Sequence, residues 1–300
     1  MRVIEKRMSV NGRKDTITLY TIGDLHMGAL NCAEKAFIRL VDMINADPNA
    51  IWIGGGDVTD AVILNDAKRF DVNTLPNWML TGNPKTIKGR IGDILAAQRS
   101  RFLEITKPIH GKCLGMIEGN HEYAIFKHHN RDHLQTMCEA MNVPNLTDCA
   151  FIRVNIARVT NNVPHARTSL MIFICHGHGG GRTAGSEPNK LRRLSDDKDA
   201  DIILTGHSHV FCILPPIPML YVPARGALPE DPAVHEKYAG NWGSFMYCYK
   251  SGPSTYDSRA NYPLRPMYTI KTVISPFRVR TTDPNRQQDC TLINMQPVKL

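Results

Sequence analysis

Residues 16–26 read TITLYTIGDLH, an apolar and β-branched run that stops at a glycine and is followed by Asp24 and His26. The run alternates as a strand does, and a glycine is a usual strand end. Residues 33–46 have apolar side chains at helical spacing, and residues 50–53 (AIWI) form a second apolar run. Strand, helix and strand in this order indicate a βαβ unit with parallel strands. The expected fold class is therefore α/β.

Five predicted strands each end in a turn that carries aspartate, asparagine or histidine. The turns are Gly23-Asp24-Leu25-His26, Gly56-Asp57-Val58-Thr59-Asp60, Gly119-Asn120-His121-Glu122, His176-Gly177-His178 and Gly206-His207-Ser208-His209. In open α/β sheets, binding sites lie outside the carboxyl ends of the strands. By composition alone, Gly-His-x-His should occur about 0.04 times and Gly-Asn-His-Glu about 0.002 times. We therefore expect the five turns to meet in one functional site.

The rest of the chain is expected to complete a single domain over residues 1–300. Residues 62–109 are predicted to be a helical insertion, and residues 225–300 a β-rich C-terminal extension. Further helices are predicted at 86–106, 121–142 and 188–196. Further strands are predicted at 112–118, 150–158, 168–175, 201–205, 210–214, 219–223, 244–250, 267–274 and 276–281, and the last dozen residues are expected to fray.

Composition excludes several classes of protein. The 300 residues are 42% hydrophobic and 21% charged, which argues against a wholly disordered chain. Eight cysteines without a C-x-x-C pair favour a reducing cytoplasmic compartment over a disulfide scaffold. We expect no signal peptide and no membrane partner. The net charge of +8 favours anionic partners.

The side chains in the five turns are of the chemical types that bind metal ions. Imidazole, carboxylate and amide oxygen suit divalent ions such as Mn, Fe and Zn. Seven such groups are enough for two ions that share a carboxylate. Two ions about 3.5–4 Å apart can hold a hydroxide and clamp a phosphoryl group for in-line attack.

The five blocks resemble the signature of the calcineurin-like metallophosphoesterases, and they lie in the family's order over residues 23–209. The resemblance implies a four-layer αββα sandwich and two divalent ions per chain, Mn first and Fe, Zn, Ni or Co as alternatives. It implies that Asp57 bridges the two ions and that His121 protonates the leaving oxygen or stabilises charge. One ion would be held by Asp24, His26 and His209, and the other by Asn120, His176 and His207. The bridging hydroxide would attack phosphorus, with Asp57, Asn120 and His121 as the catalytic residues.

The expected activity is hydrolysis of phosphoric esters, with diesters favoured over monoesters. A phosphatase on the same centre is the alternative, and a non-catalytic scaffold or nucleic-acid-binding protein is the second. The expected partner is a phosphate ester, including a nucleotide or nucleic acid, whereas the oligomeric state stays open. Residues 238–257 (YAGNWGSFMYCYKSGPSTYD) resemble phage-encoded members of the family, which would place the protein in a host cytoplasm.

Several residues have two interpretations. His178 competes with His176 as a ligand and is otherwise a substrate contact, as Arg182 and Arg225 are. Asp57 is also a candidate cap for a helix after it. Asp60 is expected to support a ligand from within that helix. The remaining residues are more simply structural: core packing is favoured over base stacking for Trp242, Tyr247 and Tyr249, and a solvated helix face is favoured for His128, His129 and His133.

Overall fold

The computed structural model describes residues 1–62, 75–80, 94–161, 163–179, 185–222, 233–251, 258, 263–280 and 288–300. Within these residues the chain forms two sheets and six α-helices. The helices are α1 (Glu34–Ala46), α2 (Asn77–Leu80), α3 (Ile94–Thr106), α4 (Asn120–His129), α5 (His133–Met141) and α6 (Ser186–Asp197), and Lys107–Lys112 is a 3₁₀-helix. The mixed α/β class expected from the sequence is confirmed.

The strands divide between the sheets so that each sheet contains a run of parallel strands. The strands are β1 (Arg2–Val10), β2 (Ile17–Ile22), β3 (Ala50–Gly54), β4 (Cys113–Met116), β5 (Cys149–Thr160), β6 (Val163–Cys175), β7 (Ile202–Thr205), β8 (Cys212–Ile213), β9 (Ile217–Tyr221), β10 (Ala233–Asn241), β11 (Tyr268–Arg280) and β12 (Gln288–Lys299). One sheet has the order β12-β11-β2-β3-β4, with β2, β3 and β4 parallel. The other has the order β1-β5-β6-β7-β10-β8, with β6, β7 and β10 parallel and β9 on β10. Each parallel run therefore brings its carboxyl ends to one edge.

A core of aliphatic side chains joins the two sheets. Ile17 and Leu19 of β2 belong to the same buried cluster as Ile172 of β6 and Leu204 of β7. Burial of one such side chain stabilises the fold by about 1.5–3 kcal/mol. The alternation within β2 thus directs one set of side chains to this core.

Each sheet also shares a buried apolar cluster with a helix. Tyr20 and Ile22, the other set of β2 side chains, share a second buried cluster with Phe37 and Leu40 of α1. On the seven-stranded sheet, Phe173 and Ile203 share a third cluster with Leu191 of α6. The clusters belong to opposite sides of the pleat because neighbouring residues of a strand point to opposite faces.

The predicted helices differ from the observed ones at their ends. Residues 86–93 of the predicted 86–106 helix lie outside the described residues, as does most of the predicted insertion. The predicted 121–142 helix is two helices, because Asn130 has a φ of 50° and ends α4. Asp132 then caps α5, accepting a hydrogen bond from the Gln135 backbone N–H at 2.7 Å.

The C-terminal third contains the largest errors of the sequence prediction. Residues 244–250 form no strand, because their pairing stops at an isolated antiparallel bridge between Cys32 and Met246, where the Tyr247 N–H donates to the Asn31 carbonyl. The expected fraying of the last residues is wrong, since β12 pairs with β11 from Gln288 to Lys299. The two strands predicted over 267–281 are one strand, β11, with a bulge that contains Pro276, which lacks an N–H. Strands β1 and β10 were not predicted, because their exposed and charged residues hide the alternation.

Among the described helices, none combines the length and the apolar character that a bilayer crossing requires.

His133 is buried rather than part of the solvated face that its sequence pattern predicts. It is 3% exposed, and its Nε2 lies 3.1 Å from Thr59 Oγ1. Burial, with a contribution from Arg99, lowers the pKa of His133 from 6.5 to about 4. His128 and His129 are exposed, as expected.

This burial predicts an acid-sensitive stability. Between pH 4 and 6.5 the unfolded chain protonates this histidine and the folded chain does not, so the free energy of unfolding falls as the pH falls. The contribution of His133 to that loss is about 3 kcal/mol. Urea unfolding of metal-free wild type and His133→Gln from pH 7 to pH 4 measures it. The variant should lose less stability over this range, whereas the exposed control His128→Gln should follow wild type; equal pH dependence in all three proteins would contradict the prediction.

Candidate metal centre

Loops from both sheets meet at the carboxyl ends of the parallel strands. The loops after β2, β3 and β4 carry Asp24 and His26, Asp57, and Asn120 and His121 respectively. The loops after β6 and β7 carry His176 and the His207–His209 pair. All the predicted metal ligands therefore lie at one place in the fold.

Asp24, His26 and His209 form the first ligand group. Their ligand atoms lie within 4.8 Å of one another. His26 Nε2 and His209 Nε2 are 3.2 Å apart, and His209 Nε2 is 3.2 Å from Asp24 Oδ1. Two imidazole nitrogens and a carboxylate oxygen at this spacing suit a single divalent ion.

Asp57, His176 and His207 form a second ligand group, which Asn120 completes. His176 Nε2 is 3.1 Å from Asp57 Oδ2 and 3.3 Å from Asn120 Oδ1, while His207 Nδ1 is 2.7 Å from the same amide oxygen. His176 Nδ1 lies 2.8 Å from the Gly55 carbonyl, to which it donates. That hydrogen bond leaves Nε2 as the ligand atom.

Asp57 lies between the two groups. Its Oδ2 is 4.0 Å from His26 Nε2 on one side and 3.1 Å from His176 Nε2 on the other. Its Oδ1 accepts a hydrogen bond from the His121 backbone N–H at 2.8 Å. The carboxylate is thus oriented by one oxygen and presents the other to both groups.

The backbone at this site is strained. Asp24, His26, Asp57, His207 and His209 have φ values of 47°, 49°, 48°, 69° and 57°. For residues with a Cβ, this left-handed conformation costs on the order of 1–2 kcal/mol each. Such strain persists where the surrounding structure enforces it, and it concentrates at functional sites.

The side chains of the site carry strongly interacting charges. Burial disfavours ionisation of Asp57, yet the imidazoles of His176 and His121 outweigh burial and hold its pKa well below the usual range. Burial also disfavours protonation of His176, yet Asp57 and Asp24 outweigh it and raise its pKa to about 10. Burial lowers the pKa of His26. A proton on His176 therefore occupies the place between carboxylates where a cation is favoured.

One further observation indicates that these side chains suit a divalent metal ion. Asp24 is fully buried, and its Oδ1 accepts no well-aligned hydrogen bond from the described residues, since the nearby His209 Nε2, at 3.2 Å, lacks the geometry of a donor. A buried carboxylate oxygen without a donor is costly. A cation bound beside His26 and His209 would satisfy it.

His121 lies beside both groups at the start of α4. Its Nδ1 is 2.5 Å from the Asp60 carbonyl oxygen, to which it donates. Its ring packs edge-on against the ring of His26, with centroids 4.6 Å apart. With Nδ1 engaged, Nε2 is the nitrogen that can carry or release a second proton.

The helix predicted directly after Asp57 is not formed by residues 57–62, the described residues of that segment. Backbone groups of residues 57–60 bond to the 24–27 turn instead: His26 N–H donates to Asp57 O, and Asp60 N–H donates to Met27 O. Asp57 does cap a helix, but that helix is α4, whose His121 N–H donates to Asp57 Oδ1. The Asp60 carboxylate lies 3.5 Å from His26 Nδ1 and so faces the nitrogen opposite the ligand atom.

Sequence reasoning missed the role of Glu122. This carboxylate is 1% exposed and accepts hydrogen bonds from the backbone N–H groups of Asp57, Thr59 and Gly119 at 2.9, 3.1 and 3.0 Å. Burial and the charge of Asp57 raise its pKa to about 7. Glu122 therefore ties the loop of Asp57 to the start of α4. Its place three residues after Gly119, as in a capping box, was the available signal.

The predicted substrate contacts are only partly within the described residues. His178 is exposed, two residues beyond His176. Arg182 and Arg225 lie outside the described residues. An arginine that the sequence did not single out, Arg265, donates from Nη1 to the Ser208 carbonyl at 2.9 Å, between His207 and His209.

The three aromatic side chains considered for base stacking differ in their exposed fraction. Core packing is confirmed for Trp242, which is fully buried, but it is wrong for Tyr247 and Tyr249, which are 39% and 47% exposed. Trp242 Nε1 donates a hydrogen bond to Asp24 Oδ2 at 2.7 Å.

No protein-family model and no curated protein matches the chain. Among solved structures, Vps29 of Entamoeba histolytica in complex with zinc is 12% identical, with a TM-score of 0.34 over 94% of this chain and 99% of that chain. A predicted phosphoesterase of Streptococcus pneumoniae is 12% identical, with a TM-score of 0.31 over 94% and 99%. Vacuolar protein sorting 29 of Cryptosporidium parvum is 14% identical, with a TM-score of 0.32 over 95% and 99%. Likenesses this distant carry no argument about function, so the resemblance to the calcineurin-like metallophosphoesterases rests on the five sequence blocks.

Proposed function

We propose that this protein is a dinuclear metal-dependent hydrolase of phosphoric esters that prefers diesters. The observation that carries the proposal is the position of Asp57, whose Oδ2 faces ligand groups on both sides. A carboxylate in this position could bind two ions about 3.5–4 Å apart, the spacing of a two-metal phosphoesterase centre. The resemblance of the five sequence blocks points to the same chemistry.

In this proposal the first ion is held by Asp24, His26 and His209, and the second by Asn120, His176 and His207, with Asp57 common to both. When bound, the two ions supply positive charge for the phosphoryl oxygens and activate the attacking water. We propose Mn as the native metal, with Fe, Zn, Ni or Co as alternatives. A four-layer αββα architecture, supported by the three apolar clusters, would hold the site between the two sheets.

His121 is proposed to deliver a proton to the leaving oxygen. Its Nδ1 proton is held by the Asp60 carbonyl, so the proton that moves is the one on Nε2. The Asp57 carboxylate accepts the His121 backbone N–H and thereby couples the position of this ring to the ligand that both groups share. Proton transfer of this kind contributes typically 10²–10⁴-fold to a rate.

Diesters are preferred in this proposal because the chain is basic, with a net charge of +8. A larger phosphate-bearing substrate is attracted more strongly by that charge. The proposed physiological substrate is a nucleotide or nucleic-acid phosphodiester in the cytoplasm. We expect metal-loaded protein to hydrolyse bis(p-nitrophenyl) phosphate with a higher kcat/KM than p-nitrophenyl phosphate. The reverse order would support the phosphatase alternative on the same centre.

Metal removal tests the class of activity before the substrate is known. Protein dialysed against a chelator should lose hydrolysis of the diester and regain it on addition of Mn²⁺, with about two ions bound per chain. A scaffold or a nucleic-acid-binding protein would bind a partner without this dependence. Metal-loaded protein with two ions per chain and no hydrolysis of any ester in a panel of diesters and monoesters would contradict the proposal.

A further inference from the structure

We propose that Trp242 is a positioning residue that sets the affinity of the first metal position by fixing the Asp24 carboxylate; this inference rests on the proposed function. Trp242 follows β10 directly and lies beneath the site, with no exposed surface. It belongs to none of the five sequence blocks.

The first step of the argument is the hydrogen bonding of Asp24. Its Oδ2 accepts from Trp242 Nε1 at 2.7 Å and from the His207 backbone N–H at 2.9 Å. Its Oδ1 is the oxygen near His209 Nε2, at 3.2 Å. Two donors on one oxygen fix the rotation of the carboxylate, so that the other oxygen is presented to the ligand group.

The second step is the packing of the indole ring against the ligand loops. A Cβ built on Gly23, Gly55 or Gly206 would lie 2.6, 2.6 or 2.2 Å from atoms of the Trp242 ring. Gly23 and Gly206 directly precede Asp24 and His207, and Gly55 lies two residues before Asp57. The three loops can approach one another only because glycine leaves room for this ring.

The third step concerns the second ligand group. The Trp242 ring centroid is 6.4 Å from that of His176, which places the same side chain beneath both groups. The only polar bond from the ring, however, goes to Asp24. Loss of the N–H should therefore weaken one metal position selectively, whereas loss of the ring would disturb both.

The chain offers a matched control in Trp52. This residue is also fully buried, and its Nε1 donates to the Ile109 carbonyl at 2.8 Å, in the apolar cluster with α1. Trp242→Phe and Trp52→Phe each remove one buried indole N–H from a comparable setting. Only the first of them removes a donor to a proposed metal ligand.

The experiment is a Mn²⁺ titration of the chelator-treated full chain by calorimetry, with wild type, Trp242→Phe and Trp52→Phe compared. We expect one of the two sites in Trp242→Phe to weaken by about 10–100-fold, as is usual when a residue that supports a ligand is changed. Both sites in Trp52→Phe should keep the wild-type affinity. Circular dichroism and Tm monitor folding of each variant.

Replacement of Trp242 by 3-benzothienylalanine keeps the bicyclic shape and removes only the N–H, so it serves if Trp242→Phe fails to fold. Two wild-type affinities in a folded Trp242 variant would overturn this inference and leave the proposed function standing. A wild-type protein that binds no divalent metal would overturn both. Equal weakening in the Trp52 control would also overturn the inference, since it would reveal a general effect of losing a buried indole.

Discussion

Asp57→Asn is expected to lower kcat/KM for a diester by about 10³-fold or more and to reduce bound metal from two ions per chain to one or fewer. The loss corresponds to about 4 kcal/mol of transition-state stabilisation, within the several kcal/mol that metal ions supply to phosphoryl chemistry. Asparagine keeps the volume and the oxygen that accepts the His121 N–H. What it removes is the charge that faces both ligand groups.

Metal content by mass spectrometry and steady-state kinetics on the same samples measure this effect. The control is Asp196→Asn, a half-exposed aspartate of α6 in an ion pair with Arg192. It should retain two ions and wild-type kinetics. An Asp57→Asn protein with two ions and unchanged kcat/KM would remove the central support for a shared carboxylate.

His121→Gln is expected to retain two ions and to lose 10²–10⁴-fold in kcat on a diester with an alkyl leaving group. A nitrophenolate leaves without a proton, so the loss should be much smaller on bis(p-nitrophenyl) phosphate. Glutamine keeps an amide near the position of Nε2, but that amide cannot release a proton. The difference between the two leaving groups therefore reports the proton on Nε2.

The matched control for His121 is His128→Gln, an exposed histidine near the other end of α4. It should match wild type on both substrates. A ring nitrogen of His121 also lies within 4.8 Å of ligand atoms of His26 and Asp57. Loss of one ion in His121→Gln, with equal losses on both leaving groups, would assign it as a metal ligand instead of an acid.

The candidate site could be predicted from the sequence because each candidate ligand follows a strand with a clear apolar pattern. Parallel strands that end in Asp, Asn or His bring these side chains to one edge by geometry alone. The prediction of a helix directly after Asp57, in contrast, was wrong. There the backbone of residues 57–60 bonds to the 24–27 turn, a long-range pairing without a local signal.

The C-terminal third was harder to predict for a related reason. Strand β10 pairs with β9 over residues 233–237 and with β7 over residues 238–241, yet residues such as Glu236 and Lys237 interrupt its apolar alternation. Lys237 is buried and donates to the Ser195 and Lys198 carbonyls, so its charge is accommodated by α6 and the loop that follows it. From the sequence pattern alone, such a lysine is predicted to be exposed.

The sequence by itself determined the α/β class, the five turns that carry Asp, Asn or His, and the type of metal chemistry that these side chains would suit. Periodicity and residue type are local properties, and they carry this information without knowledge of the fold. Only the tertiary structure decided that Asp57 faces both ligand groups, that Glu122 ties two loops together and that Trp242 holds Asp24. These contacts join residues 65 and 218 positions apart, as for Glu122 with Asp57 and Trp242 with Asp24. Their existence depends on how the two sheets pack, which no local pattern encodes.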